Sequence, residues 1–182
     1  MRKVIFAINI TINGFADHTV GIADAELHNF FSDILDDADV ILFGRRTYQL
    51  MESYWPNARN DSRSTESEKR FAEKINSIKK IVFSDTLKKT DWQNSVLSEK
   101  DPVSTVSELK RQEGKPISIG SINIAGQLFK ENLIDEFWFA IHPVISGKGP
   151  LLFDGIELNT KLKFVDSKKF GSGVVVLHYQ KS

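Results

Sequence analysis

A repeated order of elements constrains this chain more than any other feature: a short apolar run, a turn of small residues, then a stretch with helical spacing. Val4 to Ile10 is a nearly continuous apolar run, the pattern of a strand covered on both faces. Asn13-Gly14 supplies a turn, and Leu27, Phe30, Phe31, Ile34 and Leu35 then recur at helical spacing between Asp24 and Asp36, with Asp24 as N-cap. Val40 to Phe43 repeats the strand pattern, meets Gly44 and runs into a helix from Arg45 to Met51. Lys80 to Phe83 ends in Ser84-Asp85-Thr86, and a helix from Ser104 to Arg111 follows. Ile117 to Ile119 meets Gly120-Ser121 ahead of a helix from Asn123 to Lys130.

Phe137 to Ile141 is a further strand, followed by a loop holding Gly147 and Gly149. The segments Lys161 to Phe170 and Val174 to Tyr179 flank Gly171-Ser172-Gly173 as a hairpin, and residues 56–67 read as a polar surface loop before a helix carrying Phe71 and Ile75. Strands alternating with helices and closing on a hairpin predict an α/β fold: a mainly parallel mixed sheet flanked by helices, with an antiparallel C-terminal edge. A length of 182 residues fits one domain, residues 1–182.

Charge narrows the function. Twenty-four basic residues balance 24 acidic ones, so the footprint of a nucleic-acid or anionic-membrane binder is missing. The chain has no cysteine, which excludes disulfides, thiol nucleophiles and Cys-ligated metal, and its four histidines lack metal-ligand spacing, so no metal centre is expected. The apolar run after Met1-Arg2-Lys3 is broken by Asn9, Thr11 and Asn13 before it reaches the length of a signal segment, and a cytoplasmic location is expected.

The two strand-glycine-helix junctions carry the chemistry. A glycine there lets another molecule approach the backbone, while the unpaired N–H groups and dipole of a helix start attract anions. Gly44 is followed by Arg45, Arg46 and Thr47, and Gly120 by Ser121, so together the junctions suit a diphosphate and a terminal phosphate. One junction alone is more simply a tight turn beside solvated arginines; it is the pair that points to a phosphorylated nucleotide. Neither has the Gly-x-Gly-x-x-Gly or P-loop pattern.

Gly44-Arg45-Arg46-Thr47 resembles the Gly-Arg-x-Thr segment of the dihydrofolate reductase-like family of small reductases. Asn9 to Gly14 is similar to that family's Ser-x-Asp-Gly segment, Phe83 to Leu87 to its cofactor-side strand end, and Ile119-Gly120-Ser121 to its second glycine turn. His142 to Phe153 resembles the Pro-Val-x-x-Gly-x-Gly-x-x-Leu-Phe stretch of the riboflavin-pathway reductase branch. The resemblance spans nearly the whole chain and implies a dihydrofolate reductase-like fold, often a homodimer. It also implies NADPH held by Ala7, Ile8, Gly44, Arg45, Arg46, Thr47, Ser84, Asp85, Gly120, Ser121 and Asn123, and a heterocyclic substrate near Asn9, Thr11 and Asn13.

The implied reaction is hydride transfer to a small pterin-like or pyrimidine-like heterocycle, as in 5-amino-6-(5-phosphoribosylamino)uracil reductases or dihydrofolate reductase. Glu26 corresponds most nearly to the helix carboxylate of dihydrofolate reductase, with Asp24 as the competing alignment; both also fit as carboxylates favoured at a helix start. His142 reads as a packed or hydrogen-bonded residue rather than an acid. Two departures, Thr11 for serine and Asn13 for aspartate, blur the substrate and leave room for a non-catalytic nucleotide-binding or regulatory protein on the same fold. A third reading makes the glycine turns purely structural, in an interaction module.

Overall fold

The computed structural model describes residues 1–157 and 159–182. Its elements run β1 (Val4–Thr11), α1 (Ala25–Asp36), β2 (Val40–Gly44), α2 (Arg45–Glu52), α3 (Trp55–Ala58), α4 (Glu66–Ser77), β3 (Lys79–Phe83), β4 (Ser95–Leu97), α5 (Pro102–Arg111), β5 (Ile117–Ile119), α6 (Ile122–Lys130), β6 (Glu136–His142), β7 (Leu162–Lys169) and β8 (Val175–Lys181). One mixed sheet takes the order β4-β3-β2-β5-β1-β6-β8-β7. The first six strands in that row are mutually parallel, while β8 is antiparallel to β6 and to β7, as the hairpin predicted.

Alternation along the strands explains why helices cover both faces. Val4, Phe6, Leu42, Ile117 and Ile119 point one way, onto Val106 of α5 and Ile124, Ala125 and Leu128 of α6. Ile41 and Phe43 point the other way, into a cluster with Leu35, Tyr48, Phe71 and Ile75. A smaller cluster of Leu27, Ala140, Phe170 and Val176 packs α1 against the β6–β8 part of the sheet.

Two elements depart from the sequence reading. Residues 56–67, expected to be a loop, contain most of α3, a single turn with Pro56 in its first turn, where a missing N–H costs nothing. The edge strand β4 was not anticipated: it has three residues, none buried, and hence no apolar pattern to betray it. The α5 helix also starts earlier than expected, at Pro102, with the Asp101 carboxylate accepting from the Ser104 N–H. Among the described residues, no helix is long and apolar enough to cross a membrane.

Candidate active site

Because six neighbouring strands are parallel, their C-terminal ends lie along one rim. The chain passes from β1 to β2 and leaves a gap that β5 later fills, so the strand order reverses beside β1 and β5. Open α/β sheets bind ligands in the crevice at such a point. A cleft of about 1550 Å³ runs along this rim, larger than the ~300–1,000 Å³ of ordinary small-molecule pockets.

One end of the cleft is made by β2, β3 and β5 and the helices that follow them. Both α2 and α6 begin there without a side-chain cap: Gly44 and Ser121 occupy the N-cap positions, and neither makes the bond that Asp24, Thr65 and Asp101 make at α1, α4 and α5. Unpaired N–H groups at two helix starts, each at the positive end of a dipole, therefore face a common space. Arg45 and Arg46 are exposed at the first of them and, among the described residues, make no ion pair. Tyr48 fixes α2 in place. It is buried, its hydroxyl donates to Glu52 at 2.7 Å and it accepts from the Trp92 N–H at 3.0 Å.

The glycines have a physical reason beyond ligand approach. Gly44 has φ −80°, open to any residue, but a Cβ there would lie 3.0 Å from Ser121 Oγ. A Cβ on Gly120 would press into the Phe43 ring. What comes close to each backbone is this chain's own packing, and that packing draws the two helix starts together.

The other end is made by β1, β6 and the segment before α1. Ile8, Asn9, Asp17, His18, Gly21, Ile22, Leu27 and His142 line it. His142 is buried; its Nδ1 accepts from the Ile22 N–H at 2.9 Å, and its Nε2 lies 3.0 Å from Asn9 Oδ1. Burial lowers the His142 pKa from the ordinary imidazole value, with Asp24 opposing, so the ring is neutral at neutral pH. Asp17 is held at about 2 by the Thr19 hydroxyl and N–H, with further help from Ser146 and Lys148.

Of the residues expected at the site, Ile8, Asn9, Gly44, Arg45, Arg46, Thr47, Ser84, Asp85, Gly120, Ser121 and Asn123 all line this cleft. Four do not. Ala7 is buried within the sheet. Thr11 is buried and donates to Asn13 at 2.8 Å; Asn13 in turn clamps the far loop, donating to Ser146 O at 2.7 Å and accepting from its N–H at 3.2 Å. Glu26 accepts from the Gly171 N–H at 2.6 Å, where it ties α1 to the β7–β8 turn. Thr11, Asn13 and Glu26 thus bond to groups of the protein itself: their own turn, the Ser146 loop and the β7–β8 turn.

The sequence reading missed His142 and Asp17 as cleft residues, and also Ser98 to Pro102, which reach the cleft through the unanticipated β4. His142 had one available signal: it directly follows the apolar run Phe137 to Ile141, which puts it at the C-terminal end of a strand.

Comparison with known proteins agrees with this architecture. A family model described as the RibD C-terminal domain matches residues 2–176. The uncharacterized Bacillus subtilis protein YyaP is 32% identical over 184 residues, covering 98% of this chain and 94% of its own length. A putative riboflavin biosynthesis protein from Shewanella sp. PV-4 superposes with a TM-score of 0.74 at 18% identity, over 100% of this chain and 99% of that one. A pyrimidine reductase-like protein from Corynebacterium diphtheriae gives 0.72 at 15% identity, over 100% of this chain and 92% of that one. These structures share the dihydrofolate reductase-like fold that the sequence resemblance implied.

Proposed function

The chain belongs to the RibD C-terminal domain family, and on that premise we propose that it is an NADPH-dependent reductase acting on a pterin-like or pyrimidine-like heterocycle. One observation carries the reading: the uncapped starts of α2 and α6 meet at the strand-order reversal, with two exposed arginines beside them. A dinucleotide fits these donors. The N–H groups of both helix starts suit its diphosphate, while Arg45, Arg46 and Thr47 suit a terminal phosphate. When bound, reduced nicotinamide would supply a hydride to an electrophilic carbon of the substrate, with one proton completing the two-electron reduction.

The protein's own share is positioning. Ile8, Ile22, Leu27 and Phe153 offer apolar surface against which flat rings can pack and from which water is displaced. Asp17, ionised at neutral pH, holds no proton to give, and the Nε2 proton of His142 is engaged by Asn9. Neither group is therefore placed as the proton donor, and activity is expected to follow cofactor affinity rather than the titration of either one.

Calorimetric titration with NADPH and NADH tests this reading. Binding at or below roughly 100 µM, at least tenfold tighter for NADPH, is expected. Equal affinity for the two would remove the arginines as readers of a 2′-phosphate, and binding of neither would overturn the reductase reading.

A further inference from the structure

The hydrogen-bond chain Ile22–His142–Asn9 narrows the acceptor, and the inference rests on the reductase reading. Because the Ile22 N–H donates to Nδ1, that nitrogen carries a lone pair and the ring proton sits on Nε2. A proton on Nε2 requires an acceptor at Asn9, so the carboxamide oxygen of Asn9 turns toward His142. The Asn9 NH₂ group, with its two donors, is left for the cleft, where Asn9 is exposed. A backbone N–H on one strand-rim segment thus fixes which way an amide points on another.

We propose that His142 is a positioning residue that presents the Asn9 NH₂ to a ring carbonyl of the heterocycle. The test uses NADPH-saturated protein, titrated by calorimetry and assayed for reduction with 5-amino-6-ribosylaminouracil and with its 5′-phosphate. At least one of the two compounds is expected to bind at or below roughly 100 µM. His142→Leu should raise its Kd and KM about tenfold, with NADPH affinity unchanged, by the loss of one oriented hydrogen bond. His142→Gln keeps an acceptor for Ile22 and a donor for Asn9 and should restore most of the loss. If His142→Leu does not fold, Asn9→Leu at an exposed position should give the same tenfold rise. Binding of neither compound, or unchanged affinity in both leucine variants, would overturn the proposal. Failure of the wild type to bind NADPH overturns the reductase reading itself and removes this proposal with it.

Discussion

At the β2–β5 end of the cleft two helices start without a side-chain cap and two arginines face solvent, whereas at the β1–β6 end the polar groups are bonded to one another. The first arrangement sacrifices local stability, since a side-chain N-cap is worth about 1 kcal/mol. The second spends its hydrogen bonds on orientation: Ile22, His142 and Asn9 form a chain, and Asp17 is gripped by Thr19 and Ser146. Open donors suit a charged ligand that brings its own acceptors. A pre-bonded wall suits a ring that must be oriented.

The sharpest way to break this contrast is to remove the charge from the open end. Arg45→Ala combined with Arg46→Ala should weaken NADPH binding about a hundredfold and leave NADH affinity nearly unchanged, measured by calorimetry. If both cofactors weaken alike, the arginines act as a general field and not as readers of one phosphate.

A smaller and more diagnostic change is Ser121→Asp, which supplies α6 with a capping carboxylate. Thermal unfolding should show a gain of about 0.5–1 kcal/mol, while NADPH affinity falls about tenfold as the new anion takes the N–H groups. Stability and binding moving in opposite directions would mark that helix start as kept open for a ligand.

The reverse control is Thr65→Ala at the capped start of α4, where Thr65 and Glu68 form a reciprocal capping box far from the cleft. A loss of about 1 kcal/mol with unchanged NADPH affinity is expected. A loss of affinity there would mean that helix starts report on global stability alone.

The weakest expected effect concerns pH. Burial holds His142 and half-buried His28 below the ordinary imidazole value of 6.5. As pH falls through that value the unfolded chain binds protons that the native chain resists. Their contribution to stability is therefore full above about pH 6.5 and declines below it, by at most about 1.4 kcal/mol per pH unit for each group. Melting curves between pH 5 and 7 should show this slope, and His142→Gln should remove its own share while leaving that of His28.

Much of the fold was legible because apolar periodicity is local. Val40 to Phe43 and Ile117 to Ile119 announce strands, and Asp24 announces a helix start that its carboxylate does cap. What was illegible failed for stateable reasons. The β4 strand has no buried face, and Glu26 looked like a cleft carboxylate until the hairpin brought Gly171 within 2.6 Å of it. Thr11 and Asn13 were matched to a substrate segment, yet their nearest acceptors and donors are in their own turn and the Ser146 loop.

By itself the sequence determined the alternation of strands and helices, the final hairpin, and the two glycine junctions with their arginines, since each depends on residues adjacent along the chain. Only the tertiary structure decided which polar groups share a surface. Inserting β5 between β1 and β2 joins the two helix starts, and pairing β1 with β6 sets Asn9 beside His142, 133 positions away. Hydrogen-bond direction is a property of such pairs, and no single segment carries it.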